Sequence, residues 1–360
     1  MKLYSSLSVE YVDEIRRYWI TDPMNDWIPY SNPLSVCVHN GCKLYPDGKI
    51  EELSYVDAKA SKCIYLGLFL NIWGHCITDN LKKLWFLRTD ECRKLLNDGY
   101  SICCTLQGPN KEFISHFKEL LNYLGINADD IHIVSDVESF SELVEPDNAL
   151  DEKHHLHQEY KNTIDVIRQN IPYDANMPKK IYFSRSNLHN GRDFGEKYLE
   201  EVFSQLGYTI IHPEELTTEV QLKMLKSCDS FASTEGSISH NVMFCRPDVD
   251  AIIIRKTRSC NGYQYTANVI CGCNLTYVDA HMSIWNIFGN DFGPFFLYVN
   301  DNVVSFAKSR GLTVKKHFPK VEFLRYISKV LFYSFRFRQR VLSIGDYQFY
   351  WKRLKRDFLS

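Results

Sequence analysis

An α/β protein built on parallel sheets is what this 360-residue sequence predicts, and three observations carry the prediction. Apolar runs of strand length alternate with segments of helical period, the order that builds β-α-β units. The alternation is clearest over residues 179–256, where four strands and three helices imply a doubly wound, Rossmann-like domain with right-handed crossovers. The length also exceeds what one core usually fills, so two domains are expected.

The elements follow in order. Residues 34–64 read as short strands broken by Asn40-Gly41 and Pro46-Asp47-Gly48, where Asn, Asp and Gly tolerate positive φ. In LGLFLNIWGHCITDNLKKLWFL, the spacing of Ile77, Leu81, Leu84, Trp85 and Leu87 beyond Gly74 predicts an amphipathic helix. YSICCTL (100–106) is a buried strand, 110–124 a helix closed by Gly125, and IHIV (131–134) the next strand. The polar stretch 146–160 marks a domain boundary, there or just after the helix that follows it. Its His154, His155 and His157 lack a cysteine or second-helix partner and read as a solvated linker helix rather than a metal site.

In the second half, KKIYFSR (179–185) is a strand, 196–206 a helix capped by Gly207, and YTIIH (208–212) a strand ended by Pro213. A helix at 218–227, a strand DSFAS (229–233), a sharp turn TEGSISHNVMF into a helix and a strand DAIIIRK (250–256) follow. The expected organisation is therefore 1–160, 161–300 and a C-terminal helical tail, 301–360.

Charge sharpens that outline. The chain is 45% hydrophobic and 24% charged, which excludes a disordered or collagen-like protein. A net charge of −2 gives no support for a nucleic-acid partner. Yet residues 315–360 carry twelve Lys and Arg against three acids, +9, interleaved with Phe, Tyr, Trp and Leu, which leaves −11 on the rest. Such a tail suits an anionic membrane surface, or else helices packed on the domains with a solvated basic face. No window approaches the roughly 18–20 apolar residues of a membrane span. The N-terminus has no apolar h-region, so a cytoplasmic protein with reduced thiols is expected from its twelve cysteines.

Three constellations can carry chemistry. His75 and Asp79, four apart, would share a helix face, and a carboxylate beside an imidazole suits a general base; a packed histidine is the plainer alternative. Thr234-Glu235-Gly236-Ser237 lies between a strand and a helix N-terminus, a place for a phosphate in the crevice at the strands' carboxyl ends, or a plain N-cap with Ser237 serving. It matches neither a dinucleotide fingerprint nor a Walker loop. Ser184-Arg185, with Arg192 and Glu196, leaves a strand on the same face, and a guanidinium there can grip phosphate oxygens. Asp248-Val249-Asp250 imitates a metal-holding DxD string but reads as a turn before a strand, and Cys271-Gly272-Cys273 and Cys103-Cys104 read as buried thiols.

Together these segments resemble the glycosyltransferase family 61 group. The likeness lies in Trp73-Gly74-His75, Asp79, Leu81, Leu84 and Trp85, then IYFSRS (181–186), Arg192, Glu196, LGYTIIHPEEL (206–216) and EGSISHNVMF (235–244), over about residues 65–256. The resemblance implies a GT-B-like fold: two Rossmann-like, doubly wound domains facing a cleft, with C-terminal helices. It implies inverting transfer from a nucleoside-diphosphate sugar to a saccharide acceptor, without cofactor or obligatory metal. His75 and Asp79 would supply the base and its partner, in either order. Ser184, Arg185, Arg192, Glu196, Glu235, Gly236, Ser237, His240 and Asn241 would bind the donor. With no anchor in the sequence, it suggests a bacterial enzyme at the inner membrane face, extending a lipid-linked unit of capsular polysaccharide or exopolysaccharide. Two other functions fit the same order of elements: a pyruvyl- or other group transferase, and a catalytically silent scaffold of a polysaccharide-assembly complex.

Overall fold

A computed structural model describes residues 2–4, 33–55, 60–108, 111–150, 156–188, 192–257, 262–283, 293–337, 351 and 354–358. The chain divides into two compact units, residues 27–172 and residues 1–26 with 173–360. The first described strand, β1 (Lys2–Tyr4), belongs to the second unit.

In the unit 27–172, β2 (Val36–Leu44) and β3 (Ile50–Glu52) form a hairpin around the expected Pro46-Asp47-Gly48 turn. The Lys49 N–H donates to the Asp47 carboxylate at 3.0 Å, and Gly48 takes φ 87°. Asn40-Gly41 does not break the chain: β2 runs through it, with Gly41 alone at φ 74°. The unit continues with β4 (Ser61–Leu70), α1 (Trp73–Ile77), α2 (Asp90–Asn97) and β5 (Ser101–Gln107). It ends with α3 (Ser115–Tyr123), β6 (Ile131–Val134), β7 (Glu138–Pro146) and α4 (Gln158–Asn170).

The sheet order is β3-β2-β7-β4-β5-β6. Strands β7, β4, β5 and β6 are parallel, whereas β2 pairs antiparallel with both β7 and β3. The parallel sheet expected for this half is thus a mixed one, because the short turn at 45–49 returns the chain directly and leaves no room for a crossover. One face buries Cys42, Leu44, Cys63, Tyr65, Cys103 and Phe140.

The helix expected beyond Gly74 stops at Ile77, and turns with a 3₁₀ segment at Phe86–Arg88 follow. Two hydroxyls explain the stop. Thr78 Oγ1 donates back to the Gly74 carbonyl at 2.8 Å, and Tyr160 of α4 directs its hydroxyl at the Ile77 and Thr78 carbonyls, 3.0 and 3.1 Å away. Those two carbonyls would otherwise accept from the next helical turn. The apolar spacing still does its work, since Ile77, Leu81 and Leu84 are fully buried.

The second unit runs β8 (Lys180–Phe183), β9 (Asp193–Phe194), α5 (Glu196–Gln205), β10 (Thr209–Ile211) and α6 (Thr218–Ser227). Then come β11 (Ser230–Thr234), β12 (Asp250–Arg255), α7 (Gly262–Cys271) and β13 (Asn274–Asp279). The last are β14 (Phe295–Phe296), α8 (Asp301–Ser309) and α9 (Lys320–Phe337). Its sheet has the order β10-β8-β11-β12-β13-β1, and every pair in it is parallel. The central strands are buried on both faces, which is why β12 reads as a continuous apolar run, Ala251 to Ile254. From β8 the chain moves outward to β10, then returns to β11 and proceeds the other way. The order therefore reverses between β8 and β11, and ligands of doubly wound sheets bind at the carboxyl ends of the strands flanking such a reversal.

The C-terminal segment packs on this unit. Helix α9 buries Phe323, Tyr326 and Val330 in an aromatic cluster with Phe296 and Tyr298. Downstream, Phe358 meets Phe318 edge-on and lies tilted against Phe323, and Asp357 accepts from Tyr298 at 2.5 Å and from Lys316 and Arg356. Burial alone would raise the Asp357 carboxyl, but those donors outweigh it and hold it at about 2. The opposite face of α9 stays exposed. No helix among the described residues is long and apolar enough to cross a membrane.

Candidate active site

In the unit 27–172, the backbone bends after α1 so that Asp79 folds back against His75. The His75 Nδ1 lies 2.6 Å from Asp79 Oδ2. The same carboxylate takes the Lys82 ammonium at 2.5 Å, and the Thr78 hydroxyl oxygen, whose proton goes to the Gly74 carbonyl, lies 3.2 Å away. Asp79 accepts from Nδ1–H, and in the neutral tautomer this selects, Nε2 carries the lone pair. The imidazole is 40% exposed and the carboxylate 17%, so the ring is open to solvent while its partner is largely covered. Asn80 fixes the approach from β4 by bonding both the N–H and the carbonyl of Leu70. Tyr160 braces the bend from α4. Asp79 lies beyond the helix, so the bend, and not a shared helix face, makes the pair.

The second cluster lies at the reversal point of the parallel sheet, where β8, β11 and β12 end. Ser184 is fully buried; its hydroxyl donates to Glu200 at 2.5 Å and accepts from the Ser186 N–H at 3.0 Å, which shapes the loop carrying Arg185. Arg185 Nε stands 3.6 Å from Asp193 Oδ2, and Lys256 Nζ stands 3.3 Å from Asp193 Oδ1. Glu196 opens α5 beside them. Gly195, at φ 84°, makes that entry possible, because a Cβ there would sit 2.1 Å from the Leu297 carbonyl oxygen. Glu196 is almost fully buried, and Tyr182 donates to its Oε1 at 3.0 Å. Burial, then the charge of Asp193, raises the Glu196 carboxyl to about 7 against the pull of Lys256, Tyr182 and the Arg185 backbone. Burial pulls Lys256 down, with Asp193 opposing and Arg185 adding to the shift.

The turn after β11 places Gly236 at φ 125°, and a Cβ on it would lie 3.7 Å from Lys256 Nζ. Gly236, Lys256, Asp193, Arg185 and Glu196 thus form one connected group. Glu235 is buried alongside Arg255, whose Nε is 3.8 Å from it. The expected α-helix after this turn is a six-residue 3₁₀ segment, Ser239–Phe244. Ser239, not Ser237, closes the turn: its hydroxyl accepts from the Gly236 N–H at 3.1 Å, so that donor is already engaged. The short 3₁₀ segment, with its Gly236 N–H engaged, offers little dipole to an anion, and the positive charge here comes from the cationic side chains. His240 packs 6.3 Å from the Tyr263 ring, and Asn241 donates to the Ile238 carbonyl. Arg192 is exposed, with its carbonyl accepting from Phe295.

Asp248 pairs with Arg246, and Asp250 binds Arg310 through both oxygens, at 2.7 and 3.0 Å, at the amino end of β12. Cys103 and Cys104 are fully buried, Cys271 and Cys273 nearly so. His157 is a buried N-cap residue of α4, while His154 and His155 lie outside the described residues. No group of His, Cys, Asp or Glu that could hold a metal ion occurs among the described residues. Sequence reasoning missed Lys82, Asp193 and Lys256. Lys256 follows β12 as Arg185 follows β8, so the rule that picked out Arg185 could have found it.

The family model described as Glycosyltransferase 61 matches residues 73–253, half of the chain. No curated protein matches it. The matched span begins at the segment bearing His75 and runs through the Glu196 and Gly236 segments.

Proposed function

Because the chain belongs to the glycosyltransferase 61 family, whose activity is glycosyl transfer, we propose that it moves a sugar from a nucleoside-diphosphate donor to a saccharide acceptor with inversion. The observation that carries the reading is the 2.6 Å contact between His75 Nδ1 and Asp79. Asp79 is engaged by the Lys82 ammonium and holds the imidazole; His75 Nε2 takes the proton from the acceptor hydroxyl as that oxygen attacks the anomeric carbon. The bond to the donor's diphosphate breaks on the opposite face, and charge builds on the leaving phosphate. Arg185 and Arg192 meet that charge, with the Gly236-Ser237 turn admitting the phosphate, so no cofactor is needed. The Glu196 and Glu235 carboxylates, with His240 and Asn241 beside the turn, serve ribose or sugar hydroxyls. In this GT-B-like reading the unit 27–172 takes the acceptor and the parallel-sheet unit takes the donor. Incubation with UDP-, GDP- and CDP-sugars tests it: one donor series releases its nucleoside diphosphate, and release from none would refute the reading.

The exposed face of α9 bears on the acceptor. Val321, Leu324, Leu331, Phe332 and Phe335 are 55–89% exposed and recur at helical spacing, flanked by Lys320, Arg325 and Arg336. Such a stripe suits an anionic membrane, and with it a lipid-linked acceptor at the inner face of the cell membrane, as in capsular or exopolysaccharide synthesis. The protein is expected to co-sediment with phosphatidylglycerol-containing vesicles and not with phosphatidylcholine alone, and Phe332→Ser with Phe335→Ser to abolish it. Equal sedimentation of that double variant would remove α9 from the account.

A further inference from the structure

Lys256 is the cation in the reversal-point cluster with the least reason to be where it is. Its side chain is 7% exposed, its nearest carboxylate oxygen is 3.3 Å away, and the Phe295 ring lies 4.2 Å from its ammonium. Its main chain is fixed: the Ser283 hydroxyl donates to the Lys256 carbonyl at 2.6 Å and accepts from the Phe296 N–H at 3.1 Å. The charge therefore cannot escape by a backbone shift. Asp193, 3% exposed, faces two cations through contacts of 3.3 and 3.6 Å, the second too long for a hydrogen bond. Arg185 Nε, Asp193 Oδ2 and Glu196 Oε2 are buried with no hydrogen-bond partner among the described residues. A purely structural ion network would close those distances, since buried charges are costly unless well paired. Here several polar atoms of one cluster are left short of partners, directly behind a glycine turn whose missing Cβ opens onto Lys256.

We propose that Lys256 binds the outer phosphate of the donor's diphosphate and neutralises it as it leaves, with Asp193 as the counter-ion that positions the ammonium until the diphosphate arrives. The inference rests on the donor reading above and adds a residue beyond the span matched by the family, 73–253. The ammonium sits at the end of β12 and the Arg185 guanidinium just past β8, on either side of β11 and its Gly236 turn. A diphosphate entering over Gly236 would meet both, and Glu196 Oε2 would accept from a donor hydroxyl. No electrons change hands: the sugar–oxygen bond pair stays on the phosphate oxygen, and Lys256 keeps its proton.

The test is a ratio. Calorimetric titration with UDP, GDP and CDP, each against its monophosphate, identifies the nucleotide the wild-type protein binds and its preference for the diphosphate. In Lys256→Gln, which keeps a donor for Asp193, that preference falls tenfold or more while monophosphate affinity stays within about threefold. In Asp193→Asn the ammonium loses its competitor and the preference rises. An unchanged ratio in both variants, or equal loss of both ligands, assigns Lys256 a structural role and overturns the proposal. Should the glutamine variant not fold, the asparagine variant decides by the same ratio. Failure of the wild-type protein to bind any of the three diphosphates overturns the donor reading itself, an outcome distinct from a ratio that does not move.

Discussion

His75→Ala lowers kcat by about 10²- to 10⁴-fold, the usual worth of a positioned general base, and leaves the thermal midpoint unchanged. The fold tolerates the loss because the ring is 40% exposed and the bend it sits on is held by other groups. Thr78 bonds the Gly74 carbonyl, Tyr160 reaches the Ile77 and Thr78 carbonyls, and Asn80 pairs with Leu70. Asp79→Asn lowers kcat as well, by loss of the carboxylate that sets the tautomer, and costs some stability because Lys82 loses its partner at 2.5 Å. Steady-state kinetics with thermal melting of both variants check this. Full turnover in both would remove the pair from the chemistry.

Glu196→Gln stabilises the protein above neutral pH and weakens donor binding. The sign follows from the shift: the folded carboxyl sits at about 7 against an ordinary 4.5. A group raised on folding contributes stability below pH 4.5 that is lost as pH rises through 7. Above pH 7 the native state therefore carries an ionised, buried Glu196, a difference of about 3 kcal/mol at about 1.4 kcal/mol per pH unit. Glutamine keeps the shape without the charge, so the variant melts several degrees higher at pH 8.5 and gains little at pH 5. The same change removes a charged acceptor for a donor hydroxyl, which costs roughly tenfold or more in donor affinity. A group kept at the expense of stability is what a binding site is expected to hold. Melting curves at the two pH values, set beside donor titrations, read both effects. A variant less stable at pH 8.5 than the wild type would contradict the assignment.

The parallel-sheet half was open to sequence reading because its signals are local. Apolar runs such as Ala251–Ile254 mark buried parallel strands, and Gly125 and Gly207 end helices where they were expected to. The 218–227 helix appears as α6 over the same residues. What escaped depended on contacts across the chain. The helix after Gly74 ends at Ile77 because Tyr160, 83 residues away, competes for its carbonyls, and no local pattern reports that. The mixed sheet escaped because β2 pairs with β7, a partner about 100 residues on. His75 and Asp79 were paired by spacing, though the bend is what joins them. Motif and turn chemistry single out Arg185, Glu196 and Gly236, and the structure brings the three into one cluster. Asp193 and Lys256 stand out only once the ends of β8, β11 and β12 are set side by side, because neither residue is unusual in its own stretch of sequence.

The central claim is a division of labour, with His75 acting on the acceptor and the Arg185 cluster holding the donor. Calorimetric titration of the cognate nucleoside diphosphate into wild type, His75→Ala and Arg185→Ala tests it most directly. The account predicts wild-type affinity in His75→Ala and a loss of tenfold or more in Arg185→Ala. Equal weakening in both variants, or undiminished binding in Arg185→Ala, would contradict it.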